Sequence, residues 1–220
     1  MKSFCLFCIA TILISCSSMK KTPIYGNGQD VIFKESFNET DIEKHKEKFF
    51  VLSGSYTFDP LGERNTIASR FNGNTENSLL FGPENLTNYS LEASFFFLST
   101  ANNTVAAGMG GGGIAGFKVQ LFPTGQQTGR LRLLYNGVIY DEVELRMTAD
   151  SWYRIRLDLK TEGSQSTVSC VAYKEGQDPK NWMIKGKFRD LDLKGQVRLL
   201  SFPVRGMPVY IDDVVIRKND

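Results

Sequence analysis

Residues 151–173, SWYRIRLDLKTEGSQSTVSCVAY, constrain the fold of this chain more than any other stretch. Tyr153, Ile155, Leu157 and Leu159 alternate with Trp152, Arg154, Arg156 and Asp158. A side-chain period of two sends successive residues to opposite faces of a strand, so one face here is apolar and the other charged. Residues 161–166 break the pattern around Gly163. Val168, Cys170 and Ala172 then alternate with Thr167, Ser169, Val171 and Tyr173. The pair predicts a long antiparallel hairpin. A sheet with one apolar face must bury it against a second layer.

The same texture runs from residue 31 to the end. Residues 31–33, 50–58, 66–71, 78–81, 89–98, 105–109, 116–122, 129–135, 138–147, 196–202 and 209–217 read as further strands, with Gly54 breaking the second of them. The one helix-like segment is the charged run 40–50, expected to form one or two turns capped by Thr40 or Asp41. Many short strands with turn signals between them predict an all-β sandwich or barrel. The 220 residues suffice for one large all-β domain or two small ones, and 41% apolar and 12% aromatic residues suffice for a substantial core.

Charge excludes one class of partner. The net charge is +2, and basic residues are interspersed with acidic ones, so no electrostatic footprint for nucleic acid exists. Of the four cysteines, Cys5, Cys8 and Cys16 lie in the first sixteen residues. Cys170 alone can build neither a disulfide framework nor a metal cluster, and is expected to be a small buried residue. His45, the only histidine, sits in the charged run and is expected to face solvent.

The N-terminus carries its own signal. Lys2 precedes an apolar run over residues 4–14, the length of a signal h-region and too short to span a bilayer. The run ends in Leu13-Ile14-Ser15-Cys16, which resembles the bacterial lipobox. The resemblance implies a lipoprotein signal peptide over 1–15 and a lipidated Cys16. Residues 16–30 then form a polar tether, and 31–220 the folded domain. It places the protein on the cell envelope, anchored to the membrane by lipid. Ser17 is not acidic, which favours the outer membrane over retention at the inner one.

Gly111, Gly113 and Gly116 fit G-x-G-x-x-G, but residues 117–122 read as a strand, which excludes a dinucleotide site at a helix N-terminus. Trp152 is expected in or near the core. Trp182 follows the turn sequence Asp178-Pro179-Lys180-Asn181, where it either stacks on a sugar ring or folds back over the sheet edge. Arg132, Arg154, Arg156 and Asp158 lie on polar strand faces, where they offer charged donors and an acceptor to a glycan if the face is concave and are solvent charges if it is convex. Tyr135 and Tyr140 flank the Asn136-Gly137 turn of a hairpin.

Four motifs, taken in order, carry a family resemblance. They are Phe33-Lys34-Glu35-Ser36-Phe37, the glycine-led strand Gly113-Ile114-Ala115-Gly116-Phe117-Lys118-Val119, Trp152-Tyr153-Arg154-Ile155, and the strand Val209-Tyr210-Ile211-Asp212-Asp213-Val214-Val215-Ile216. Over residues 31–220 this order resembles the concanavalin A-like lectin/glucanase superfamily, and especially its bacterial laminin-G-like members. The resemblance implies a jelly-roll β-sandwich of two curved antiparallel sheets and carbohydrate binding. Laminarinase-type relatives carry Glu-x-Asp-x-x-Glu, because retaining cleavage needs two carboxyls about 5 Å apart. This chain lacks it, Asp141-Glu142-Val143-Glu144 being the nearest acidic cluster, so a non-catalytic module is expected. Residues 116–121 resemble the 3-keto-disaccharide hydrolase type, which stands as the enzyme alternative. A structural or protein-interaction lipoprotein is the third. First and last strands of a jelly roll lie side by side, so Glu35, Asp212 and Asp213 are expected to meet and to suit a structural calcium, as laminarinase-like relatives hold.

Overall fold

A computed structural model of the protein describes residues 30–38, 47–73, 76–98, 105–125, 127–148 and 150–219. These residues form two antiparallel sheets. The first contains β1 (Val31–Glu35), β3 (Ser55–Phe58), β4 (Ile67–Arg70), β6 (Tyr89–Phe97), β11 (Ser151–Glu162), β12 (Gln165–Lys174), β13 (Ile184–Arg189) and β15 (Val209–Lys218). Its order is β13-β12-β11-β6-β15-β4-β3, with β1 also paired to β15. The second contains β2 (Phe49–Ser53), β5 (Asn77–Phe81), β7 (Ala106–Gly111), β8 (Phe117–Pro123), β9 (Thr128–Tyr135), β10 (Val138–Arg146) and β14 (Val197–Phe202). Its order is β10-β9-β8-β7-β14-β5-β2.

The alternation in the sequence decides what lies between the sheets. Leu91, Ala93, Phe95 and Phe97 of β6 and Tyr153, Ile155, Leu157 and Leu159 of β11 point inward. Met109, Val119, Leu121, Leu131, Leu133 and Leu199 meet them from the second sheet, all fully buried. Each such side chain contributes roughly 1.5–3 kcal/mol on leaving water. The β11–β12 hairpin has Leu157 opposite Cys170, and β11 pairs with β6 at Leu157 and Leu91. Cys170 is buried among them, and burial pushes its thiol pKa up, so it stays an inert thiol.

Local chemistry sets the corners. Asn136 and Gly137 both take positive φ, 50° and 75°, the primed two-residue turn that matches strand twist. Gly54 has φ 97°, and a Cβ there would lie 2.2 Å from Asn77 Cγ. Only glycine lets the chain turn there from β2 in the second sheet to β3 in the first.

Three expectations are corrected. Residues 50–58 are not one broken strand but two strands in different sheets. β13 is a strand that the sequence pattern does not predict: its exposed Lys185, Lys187 and Arg189 mask the buried Ile184 and Phe188 that make it one. Trp152 is on the outer face against Phe96 and Arg64, not in the core. As expected, a strand follows the glycine motif, which forms the β7–β8 hairpin with φ 76° at Gly112 and 70° at Gly113. The expected leader, the tether with Cys16 as far as residue 29, and residues 40–46 of the expected helical turns with His45 lie outside the described residues, while residues 49–50 of that run are strand, the start of β2.

Candidate functional site

The charged half of β11 faces away from the core. In register, Trp152 lies beside Phe96, Arg154 beside Ser94 and Arg156 beside Glu92 of β6. On the other side of β6 comes β15, with Tyr210 beside Phe96 and Asp212 beside Ser94. The β15 register slips between Asp212 and Val215, and Asp213 has φ 49°. A bulge re-aims a side chain, and here it turns two consecutive acids toward one cation.

That cation is Arg64, on the loop between β3 and β4. Its Nη2 donates to Asp213 Oδ2 at 3.1 Å and its Nη1 to Glu175 Oε2 at 2.8 Å, and its Nε forms an ion pair with Asp212 Oδ2 at 3.1 Å. Its guanidinium lies 4.3 Å from the centre of the Trp152 ring. Arg154 stands beside it. Its Nη1 donates to Glu92 Oε1 at 2.7 Å, Nη2 to Asp213 Oδ2 at 2.7 Å and Nε to Glu175 Oε1 at 3.3 Å. Ser94 Oγ adds a bond of 2.7 Å to Glu175 Oε1.

Two guanidiniums thus serve four carboxylates. Burial pulls against the Arg154 charge, but Glu92, Asp213 and Glu175 outweigh it and raise its pKa. Burial opposes the Arg64 charge too, yet its hydrogen bond to Glu175 and the nearby charges of Glu175, Asp212 and Asp213 raise its pKa. Burial favours the neutral form of Glu175, but its bonds to Arg64 and Ser94 hold its pKa below the usual range. Asp212 behaves oppositely. Its desolvation dominates over the amide of Asp213 and over Arg64, and its pKa is pushed up to about 6.

Further along β11 the face changes character. Arg156 is 1% exposed and reaches Asp158 Oδ1 at 3.4 Å. Burial pushes the Asp158 pKa up, with Arg156 opposing. The Trp182 ring lies over Arg156, 5.2 Å from guanidinium to ring centre. Trp182 therefore folds back over the sheet. It also lines a groove of about 380 Å³ with Asp158, Gln165, Thr167, Ser169 and Lys185. A polar trough with one aromatic wall has the size of a small-ligand site.

The structure divides the expected site residues. Trp182, Arg154, Arg156 and Asp158 share one face, Arg154 within the ion cluster and the others at the groove. Arg132 is on the opposite sheet, over the Phe122 ring at 4.1 Å and bonded to Glu142. The hydrogen bond from Arg132, backed by Arg130, holds Glu142 below its usual pKa. Sequence reasoning missed Arg64, Glu92 and Glu175. Glu92 alone carried a signal, as a charge inside the apolar β6 strand.

Glu35, Asp212 and Asp213 do not form a calcium cage. Glu35 pairs in register with Val214; its Oε1 accepts the amides of Ser36 and Phe37 at 3.0 and 2.9 Å, and Lys48 Nζ binds Oε2 at 2.7 Å. Asp212 and Asp213 find their cations in Arg64 and Arg154. Among the described residues no group of three or more His, Cys, Asp or Glu is placed to hold a metal ion. The expected acids met cations, but from side chains.

No protein-family model and no curated protein matches this chain in sequence. Solved structures do match in fold. The carbohydrate binding module CBM66 from Bacillus subtilis aligns with TM-score 0.54 at 12% identity, over 78% of this chain and 96% of that one. The potassium-bound carbohydrate recognition domain of Emp46p aligns with TM-score 0.58 at 12% identity, over 84% and 95%. A Bacillus licheniformis β-glucanase aligns with TM-score 0.51 at 11% identity, over 86% and 98%. The chain has the lectin and glucanase type of jelly-roll sandwich, the fold that the motif order implies.

Proposed function

We propose that this protein is a lipid-anchored envelope lipoprotein whose β-sandwich, residues 31–220, binds carbohydrate without cleaving it. The observation that carries the reading is the groove beside Trp182, where an indole ring stands next to Asp158, Thr167, Ser169 and Lys185. A pyranose has an apolar C–H face for the ring and hydroxyls for the polar wall. Arg156 stacks under the same ring and fixes its orientation. Carbohydrate modules among the fold's neighbours support the reading.

A glycan array on the protein, followed by calorimetry on the best ligand, tests it. Trp182→Ala is expected to weaken that ligand about tenfold, ~1.4 kcal/mol, with an unchanged circular dichroism spectrum. A blank array on folded protein defeats the reading and leaves a structural or protein-interaction lipoprotein, and a hit indifferent to Trp182→Ala removes this groove as the site.

Anchoring is tested separately. The Cys16 thiol is expected to carry the diacylglycerol, with the outer membrane as destination. Labelled palmitate is expected to be incorporated into the wild type and to be absent from Cys16→Ser, whose precursor stays uncut. Labelling that survives in Cys16→Ser refutes the assignment.

A second reading has one observation behind it. Asp212, with its pKa pushed up to about 6 beside Glu175 and Asp213, titrates where a general acid works. A hydrolase of the 3-keto-disaccharide type would release sugar from 3-keto-glucosides and lose that activity in Asp212→Asn.

A further inference from the structure

The second sheet has an outer face of its own, and Arg198 lies at its centre. Val197 and Leu199 on β14 point into the core, so Arg198 points outward, yet it is only 3% exposed. Its Nε is buried with no hydrogen-bond partner. Among the described residues no hydrogen bond or ion pair engages its guanidinium. A buried cation without a partner is costly and rare, and in native proteins it calls for a specific explanation such as an absent ion. Burial pushes the Arg198 pKa down, with the charge of Glu76 opposing.

The surroundings suit an anion. Arg198 lies opposite Gly110 of β7, which in turn lies opposite Lys118 of β8. One residue pair along, Leu200, Gly108, Gln120 and Arg132 form the next row. The two outward positions of β7 in these rows therefore have no side chain. A Cβ at Gly110 would lie 2.8 Å from Arg198 Nε, so glycine makes room for the arginine. β7, β8, β9 and β14 carry four cations, Lys118, Arg130, Arg132 and Arg198, and no acidic residue. The acids reach in from neighbours. Glu142 on β10 binds Arg130 and Arg132, and Glu76, just before β5, binds Lys118 Nζ at 2.6 Å. Since β7 and β14 stand between β8 and β5, the Lys118–Glu76 pair crosses the face that holds Arg198.

We infer that this glycine-floored face, centred on Arg198 and flanked by Lys118 and Gln120, binds the oxyanion of an acidic saccharide, a uronate carboxylate or a sulfate ester. The planar guanidinium fork matches either group with two parallel bonds. Glu76 occupies Lys118 in the ligand's absence, and the incoming anion takes its place there. The saccharide as carrier rests on the function proposed above; the anion rests on Arg198 alone. The face is separate from the Trp182 groove, which belongs to the other sheet.

The test is equilibrium binding to the full-length protein in detergent at low and high salt. The probes are tetragalacturonate, a sulfated tetrasaccharide and neutral cellotetraose. At least one acidic probe is expected to bind, more weakly at high salt, and to raise the melting temperature of the wild type. Arg198→Met is expected to lose at least tenfold in affinity for that probe and to lose the thermal shift. Arg198→Lys, which keeps the charge without the fork, is expected to fall between them. Glu76→Gln, which removes the competing carboxylate, is expected to bind several-fold more tightly. Arg205→Gln, an exposed charge on the β14–β15 turn, controls for general charge loss. If Arg198→Met does not fold, the Lys and Gln variants still decide. Binding of the acidic probe that is unchanged in Arg198→Lys and Glu76→Gln overturns the site, and so does failure of both acidic probes to bind. Failure here beside a Trp182-dependent neutral ligand sinks only the anion site. Failure of every saccharide at both faces sinks the carbohydrate reading with it.

Discussion

Arg154→Met is expected to destabilise the protein by about 3–5 kcal/mol, the range for removing one member of a buried ion pair. Arg154 is 29% exposed, but Glu92, which it binds at 2.7 Å, is only 3% exposed. Methionine preserves most of the side-chain bulk, so the loss measures charge more than packing. The cluster does not simply pass the load to Arg64. Arg64 already holds Glu175, Asp212 and Asp213, and its contacts do not include Glu92. Arg64→Met should therefore cost less. Its most buried partner is Asp212, whose raised pKa lets it take a proton instead of keeping an uncompensated charge. Urea unfolding at neutral pH reads both effects through the midpoint, with the slope unchanged. The double variant Arg154→Met/Glu92→Leu should recover a large part of the loss, since it removes both charges together. A loss below about 1 kcal/mol for Arg154→Met would place the cluster with ordinary surface pairs.

The legible part of this fold was the part written in alternation. β6, β9, β11, β12 and β15 each show their inward residues plainly, and the two-sheet architecture follows from burying them. β13 was illegible because its outward side chains are lysine and arginine and its centre is Gly186. Its apolar content is low, and it is a strand because β12 offers it an edge. The break at Gly54 was visible, but a glycine does not say whether the chain stays in its sheet.

The site was legible in the same limited sense. Periodicity put Arg154, Arg156 and Asp158 on one face, and the structure keeps them there. It could not bring Arg64 and Glu175 to that face, because both come from connections between strands, separated by 111 positions. Nor could it distinguish a calcium from two guanidiniums as the partner of Asp212 and Asp213. Two adjacent acids in an apolar strand do announce a cation; only the tertiary fold says which. Arg198 shows the converse. In the sequence it is one more polar-face arginine, and its interest appears only when burial and the absence of a bond coincide.

The stability of the wild type should fall as pH rises from about 4 to 6.5, and Asp212→Asn should remove that fall. The Asp212 carboxyl ordinarily titrates near 3.8, and in the folded protein its pKa is pushed up to about 6. Desolvation is the main cause, and the amide of Asp213 and the charge of Arg64 offset it only in part. Between those two values the native state holds a proton that the unfolded chain has released. Stability decreases with pH wherever the native state binds more protons, so ionising Asp212 costs about 3 kcal/mol in all for a shift of about two pH units at roughly 1.36 kcal/mol each. Glu175 acts in the other direction and in another window. Its folded pKa is lowered, so its contribution is complete above the unfolded value of 4.5 and is lost as the pH falls below it. The two effects are therefore separable. The measurement is the urea stability of wild type and Asp212→Asn at pH 4, 5, 6 and 7. Relative to the variant, the wild type should lose about 3 kcal/mol across the series, most of it by about pH 6.5. A difference between the two proteins that stays constant with pH would mean that Asp212 titrates as an ordinary carboxylate, and would withdraw the general-acid reading of this cluster with it.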